Sequence, residues 1–376
     1  MGTTIFTVMS RMSAECGAVN LSQGFPDFQA EPALFDAVHR HMREGRNQYA
    51  PMAGMPELRQ AIVDKVAALY GTRFDVESEV TVTAGATQAI FTAVAAFVRP
   101  GDEVIVFEPV YDSYVPAIET VGGTAVFAQL KYPDYAPDWA QVAQLISPKT
   151  RMIIINSPHN PTGSLLSADD LDQLAALLRG TDIVVLSDEV YEHILFDGEQ
   201  HASLCGHPAL AERSIVVSSF GKTYHITGWK IGYVVGPAAL MAEFRKVHQF
   251  NVFTVHTPSQ LGLADYMQDA SRHLGLAAFY QEKRDFFREL MAATPFRLLP
   301  CRGTYFQLAS YAGLSDLPDR AFAEWMTREV GVAVIPVSVF NADGRDDKVV
   351  RFCFAKKEET LLMGAERLRK AFVKNC

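Results

Sequence analysis

The chain has 376 residues, 49% hydrophobic and 20% charged, a globular composition with ample apolar material for a core and too few charges for a disordered chain. At roughly 100 to 200 residues per domain, this length predicts about two to three domains. Asp plus Glu number 43 against 34 for Lys plus Arg, a formal net charge of -9, and that balance excludes general binding to nucleic acid or anionic lipid, whose phosphates it repels.

Five cysteines, Cys16, Cys205, Cys301, Cys353 and Cys376, are scattered with no C-x-x-C pair, which fits neither a disulfide framework nor a zinc site. The opening residues 1–22 carry Arg11 and Glu15 in a mixed run without an apolar h-region, so no signal peptide is expected. No segment reaches the roughly 18 consecutive apolar residues needed to span a bilayer. A cytoplasmic protein is therefore expected, with no membrane partner and no metal.

The stretch before Met52 holds turn signals such as Gly24-Phe25-Pro26-Asp27 but little periodicity, and is expected to wrap over the rest as an arm. From about Glu79, short β-branched runs alternate with helix-like stretches, the βαβ pattern. Residues 80–83 predict a strand, 87–97 a helix closed by Pro100 and Gly101, and 104–107 a second strand. Runs at 151–155, 183–186 and 215–218 are apolar on both faces, as buried parallel strands are. After Thr257 helical periodicity over 259–267 and 276–291 gives way to strands around 303–308 and 332–336, which predicts a smaller α+β domain.

Several motifs fail on counting. Gly221-Lys222-Thr223 resembles the end of a phosphate-binding P-loop, but Val216 stands where that loop needs its first glycine. Neither G-x-S-x-G nor G-x-G-x-x-G occurs. His39 and His41, two apart on a predicted helix, point away from each other. What holds is a set of polar residues at the carboxyl ends of the predicted strands, where open α/β sheets bind ligands. They are Gly85-Ala86-Thr87, residues 156–163, Ser187 to Tyr191, and Ser218 to Lys222. The first group offers backbone N–H groups and a hydroxyl to an anion. Asp188, after an apolar strand, needs a cationic partner if buried, and a protonated pyridine nitrogen would be one. Lys222, near Lys230, is placed for a neutral, nucleophilic amine. Taken singly, Asp188 serves equally as a helix N-cap, Tyr111 and Tyr49 as packing residues, Asn160-Pro161 as an ordinary turn, and Arg351 as an edge-strand residue facing solvent.

Taken together, Asn156-Ser-Pro-His-Asn160-Pro-Thr-Gly163, Ser187-Asp188-Glu189-Val190-Tyr191, Ser219-Phe-Gly-Lys222 and Gly228-Trp-Lys-Ile-Gly232 resemble, in order and spacing, the class I pyridoxal-phosphate-dependent aminotransferases of fold type I. Gln23 to Phe28, Asn47-Gln48-Tyr49 and Trp229-Lys230 resemble the methionine and kynurenine or glutamine aminotransferase branch. The resemblance implies a three-layer α/β large domain with a mostly parallel sheet plus a smaller α+β domain. It divides the chain into an arm at 1–27, a large domain at 28–265 and a small domain at 266–376.

It further implies that Lys222 binds pyridoxal 5'-phosphate covalently and moves the reacting proton, that Asp188 pairs with the pyridine nitrogen, and that Tyr191 and Asn160 bond the ring's phenolic oxygen. Tyr111 would stack on the ring, and Gly85, Ala86, Thr87, Ser219 and Lys230 would surround the phosphate. Many branches carry arginine at the Lys230 position. Arg351 would bind the substrate carboxylate with help from Gly24 and Asn160, and Phe25, Tyr49, Tyr114 and Phe340 would line an apolar side-chain pocket. Glu108-Pro109 and Asn160-Pro161 would be cis. A homodimer with shared sites is implied, Tyr49 reaching the partner's phosphate. The activity implied is amino transfer from an L-amino acid with a large neutral side chain to a 2-oxo acid. A carbon–sulfur β-lyase is the alternative, since the same carbanion can expel a leaving group; a DNA-binding regulator would need a helix-turn-helix, and fewer than thirty residues precede Phe28.

Overall fold

A computed structural model describes residues 3–372, so Cys376 lies outside the described residues. The β-branched runs form a seven-stranded sheet in the order Val80–Thr83, Gly232–Val235, Ser214–Ser219, Val184–Asp188, Thr150–Asn156, Glu103–Glu108, Thr124–Gln129. Gly232–Val235 runs antiparallel to both neighbours, and the remaining pairings are parallel. Successive side chains of the central strands enter two different cores: Ile153, Ile155 and Val185 one, Met152, Ile154 and Val184 the other. That is why these runs carry no polar alternation.

Two strands had no signal of this kind. Thr124–Gln129 is an edge strand, mostly half-exposed, and Gly232–Val235 is four residues opening on glycine. The opening stretch is also more regular than a bare arm. It holds helices Ile5–Cys16 and Pro32–Arg43, and Val19–Asn20 pairs in parallel with Val332–Ala333. The first of these helices is capped at both ends, by the Thr4 side chain and by Gly17 in the left-handed region.

A third core gathers Met9, Met12, Val19 and Leu21 with Tyr280, Phe287, Phe306, Phe352 and Leu368. It includes a four-stranded sheet in which Val349–Cys353 lies between Ile335–Pro336 and Phe306–Ser310. The predicted strand at 332–336 is split: Val332–Ala333 pairs with the N-terminal segment, and Ile335–Pro336 joins this sheet. Among the described residues no helix is long and apolar enough to cross a membrane, and no cluster of His, Cys, Asp or Glu is placed to hold a metal ion.

Candidate active site

The carboxyl ends of the central strands and the third core enclose a cavity of about 290 Å³. Gly85, Ala86, Thr87, Tyr111, Asn160, Asp188, Tyr191, Ser219, Lys222, Lys230, Gly24 and Arg351, all singled out in the sequence, line it. Most arrive on a strand end or the segment after it, whereas Arg351 stands at the middle of Val349–Cys353 and Lys230 just before Gly232–Val235. Ser219 closes its strand and its Oγ accepts from Gly221 N (3.2 Å), starting the single helical turn Phe220–Thr223 that presents Lys222.

Lys222 Nζ donates to Tyr305 Oη (2.9 Å) and to the Gly24 carbonyl (3.3 Å), and Tyr305 Oη donates to the same carbonyl (2.6 Å). The lysine chain is only partly covered, but it faces a cavity packed with aromatic rings, and desolvation brings its pKa down to about 8. Gly24 can approach this closely because it lacks a side chain: a Cβ there would stand 2.7 Å from the Phe306 ring.

Asp188 is buried, and burial raises its carboxyl to about 6 against the lowering effect of a hydrogen bond from Tyr114 Oη (2.6 Å). No helix starts after Asp188; residues 189–193 form a turn, and Val190 N donates to Asp188 Oδ1 (3.3 Å), so the N-cap alternative does not apply. Asn156 Nδ2 donates to the Asp188 carbonyl (2.8 Å) and Asn156 Oδ1 accepts from Asn160 N (2.8 Å), which ties two strand ends together. Both Glu108-Pro109 and Asn160-Pro161 are cis, as are Tyr132-Pro133 and Ser157-Pro158.

Arg351 is not an edge residue facing solvent. It lies on the internal strand of the small sheet at 1% exposure, sandwiched with its guanidinium carbon 3.9 Å from the Phe306 ring centre. Nη1 donates to Asn160 Oδ1 (2.7 Å) and Nη2 to the Ser22 carbonyl (3.1 Å), while the buried Nε has no partner among the described residues. Among the described residues no carboxylate forms an ion pair with it, which is an arrangement for an incoming anion.

All four expected pocket residues stand elsewhere. Tyr114 is buried beneath the cavity, where its hydroxyl is committed to Asp188. Phe340 packs behind Arg351, its ring 6.0 Å from that of Phe6. Phe25 is 45% exposed and holds Lys356 Nζ over its ring. Tyr49, at 86% exposure, stacks edgewise on Phe253 and does not line the cavity of its own chain. The apolar wall is formed instead by Phe6, Ile90, Val190, Ile231 and Phe306. Phe6 projects from the N-terminal helix, which Gln23 pins by donating to the Phe6 carbonyl (2.8 Å) and to Ser10 Oγ. Gln23 was marked only as part of a string and not for this contact, and nothing at the sequence level marked Phe6 or Tyr305, because the partners involved lie 13 to 281 residues apart.

The chain matches the aminotransferase class I and II family over residues 17–368. The chain belongs to that family. A methionine aminotransferase of Escherichia coli is 50% identical over 371 residues, 98% of this chain and 96% of that protein. A solved E. coli structure described as having a methionine aminotransferase function superposes with a TM-score of 0.96 at 50% identity, covering 98% of this chain and 97% of that one. Rat kynurenine–oxoglutarate transaminase 1 is 34% identical, covering 97% of this chain and 95% of the relative.

This aminotransferase therefore shares the family's cofactor, pyridoxal phosphate, and the cavity fits that group. An amine of lowered pKa, a buried carboxylate without a bonded cation and a helix start flanked by Lys230 stand around one space. Gly232 makes the last of these compact: a Cβ there would lie 2.6 Å from the Ser218 carbonyl and 3.3 Å from Ala86 N. The helix Gly85–Phe97 directs its free N–H groups and positive end into the same space.

Proposed function

We propose that this aminotransferase takes its amino group from an L-amino acid with a large neutral side chain, in the range of methionine, aromatic amino acids, kynurenine and glutamine, and passes it to a 2-oxo acid. The observation that carries this is the distribution of charge in the cavity. Its charged lining groups are Asp188, Lys222, Lys230 and Arg351. Lys230 stands at the helix start, and the wall from Phe6 to Phe306 offers no cation besides Arg351, so a second carboxylate on the donor would be buried unpaired. The named activities of the relatives support the same range.

Pyridoxal phosphate, when bound, supplies an electron sink for charge developing at the substrate's α-carbon. Gly85, Ala86, Thr87, Ser219 and Lys230 would hold its phosphate, Tyr111 would cover its ring, and Tyr191 and Asn160 would bond its phenolic oxygen. Asp188 would keep a proton on the ring nitrogen, and the hydrogen bond from Tyr114 keeps its carboxyl group aimed. Arg351 grips the substrate carboxylate while Asn160 and Ser22 hold the guanidinium in plane. The Lys222 amine, neutral above about pH 8, would hold the cofactor and is placed to move a proton at the substrate's α-carbon.

The same proposal includes the division into 1–27, 28–265 and 266–376, a cytoplasmic setting in keeping with the free thiols of Cys16, Cys205, Cys301 and Cys353, and a homodimer with shared sites. Tyr49 and Phe250, exposed by 86% and 90%, support an interface, since aromatic groups this open are normally covered by a partner. A panel of amino donors against one 2-oxo acid tests the substrate range. Methionine and aromatic donors should exceed aspartate in kcat/KM by about tenfold or more; aspartate as the best donor would refute the proposal.

A further inference from the structure

Two segments that line the cavity are followed or preceded by residues turned out of it. Tyr191 and Ser219 face the cavity, whereas Glu192 and Ser218 do not. Glu192 Oε1 instead accepts from Lys65 Nζ (2.7 Å), Ser218 Oγ (2.5 Å) and Tyr233 Oη (3.2 Å), and Oε2 accepts from Tyr70 Oη (2.6 Å). Lys65 also donates to Tyr233 Oη (2.8 Å). Both charged groups are buried. Burial pushes the Glu192 carboxyl up, but Lys65 beside it, with His193 and the hydrogen bonds, outweighs this and holds it below the usual carboxylate range.

A buried ion pair is a poor stabilising device, because apolar residues of equal volume often serve as well. What it does give is a single geometry when every lone pair is filled. Here that geometry joins four elements: the helix Pro56–Tyr70, the turn after Val184–Asp188, the strand Gly232–Val235 through Tyr233, and the strand Ser214–Ser219 that delivers Lys222.

We propose that Glu192 and Lys65 are positioning residues for amino transfer, a buried brace that fixes the Tyr191 ring and the Ser219–Lys222 turn relative to one another. The proposal rests on Tyr191, Ser219 and Lys222 holding the cofactor. Neither brace residue touches the cavity, so the brace acts through those three.

The test uses the holoenzyme of the double variant Lys65→Met/Glu192→Leu, which removes both charges together, and of Ser218→Ala, which removes only the bond from the brace to the strand. Melting temperature, cofactor dissociation constant, kcat and donor KM are measured. The double variant should melt within a few degrees of wild type, bind pyridoxal phosphate about tenfold more weakly and lose about tenfold in kcat, with donor KM changed less than about threefold. Ser218→Ala should shift both constants in the same direction by a smaller factor. If the double variant does not fold, Ser218→Ala decides alone. Cofactor affinity and kcat within twofold of wild type in the deciding variant would overturn the brace. Wild-type protein that takes up no pyridoxal phosphate would instead overturn the cofactor site on which the brace depends.

Discussion

Lys222 is held by two hydrogen bonds that a neutral amine can keep as well as a charged one, and its lowered pKa has a kinetic consequence. Only the uncharged amine attacks a carbonyl. Below its pKa of about 8, the rate of covalent cofactor capture by the cofactor-free protein should rise about tenfold per pH unit and then level off, as read by borohydride trapping and intact mass. A rate that is flat from pH 6 to 8 would contradict this. Asp188→Asn should keep cofactor binding while slowing turnover by about 10³-fold, because an amide cannot hold a proton on the ring nitrogen; a loss under tenfold would count against that pairing. At Lys230, an ammonium supplies a point charge where arginine would offer a fork. Lys230→Ala should raise the cofactor dissociation constant by about tenfold and leave donor KM within about threefold, measured by equilibrium dialysis and steady-state kinetics. Residues of this kind were legible in the chain because each sits inside a contiguous string fixed by a strand end and a turn. Tyr114 was legible as a position but not in its contact, since its partner, Asp188, is 74 residues distant.

The strands carry the cavity, and their closeness is set by what they lack. At Gly232 the antiparallel strand passes the Ser218 carbonyl and the start of the Gly85–Phe97 helix with no room for a side chain. Gly232→Ala should therefore force the strand and the helix start apart, costing about 1 to 3 kcal/mol and lowering the melting temperature by several degrees, with weaker cofactor binding by fluorescence titration. Unchanged melting and binding would show that the strand yields freely. The buried parallel strands could be read from the chain because both of their faces are apolar. The edge strand Thr124–Gln129 could not, since half-exposed Thr, Ala and Gln residues leave no such mark. The N-terminal helix was hidden for another reason: Ile5–Cys16 interleaves Thr, Ser and Arg with its apolar positions and buries only Met9, Met12 and Ser13.

Across the whole molecule the proposed sharing of sites has a direct test. Neither a Tyr49→Phe nor a Lys222→Ala homodimer should reach wild-type activity, whereas mixed subunits should regain one intact site per heterodimer. No recovery despite subunit exchange confirmed by native mass spectrometry would place the role of Tyr49, if any, within its own chain. The cavity wall has a consequence of a different sort. Asp188 and Lys222 stand at strand ends of the large sheet, while Phe6 stands on a twelve-residue helix whose buried face belongs to the third core. Substitutions along that helix can reshape the space beside the substrate without disturbing Asp188, Lys222 or the strands that aim them. Chemistry and selectivity are thus free to drift at different rates, and a laboratory seeking a new amino donor for this scaffold has a short, separately packed segment in which to search.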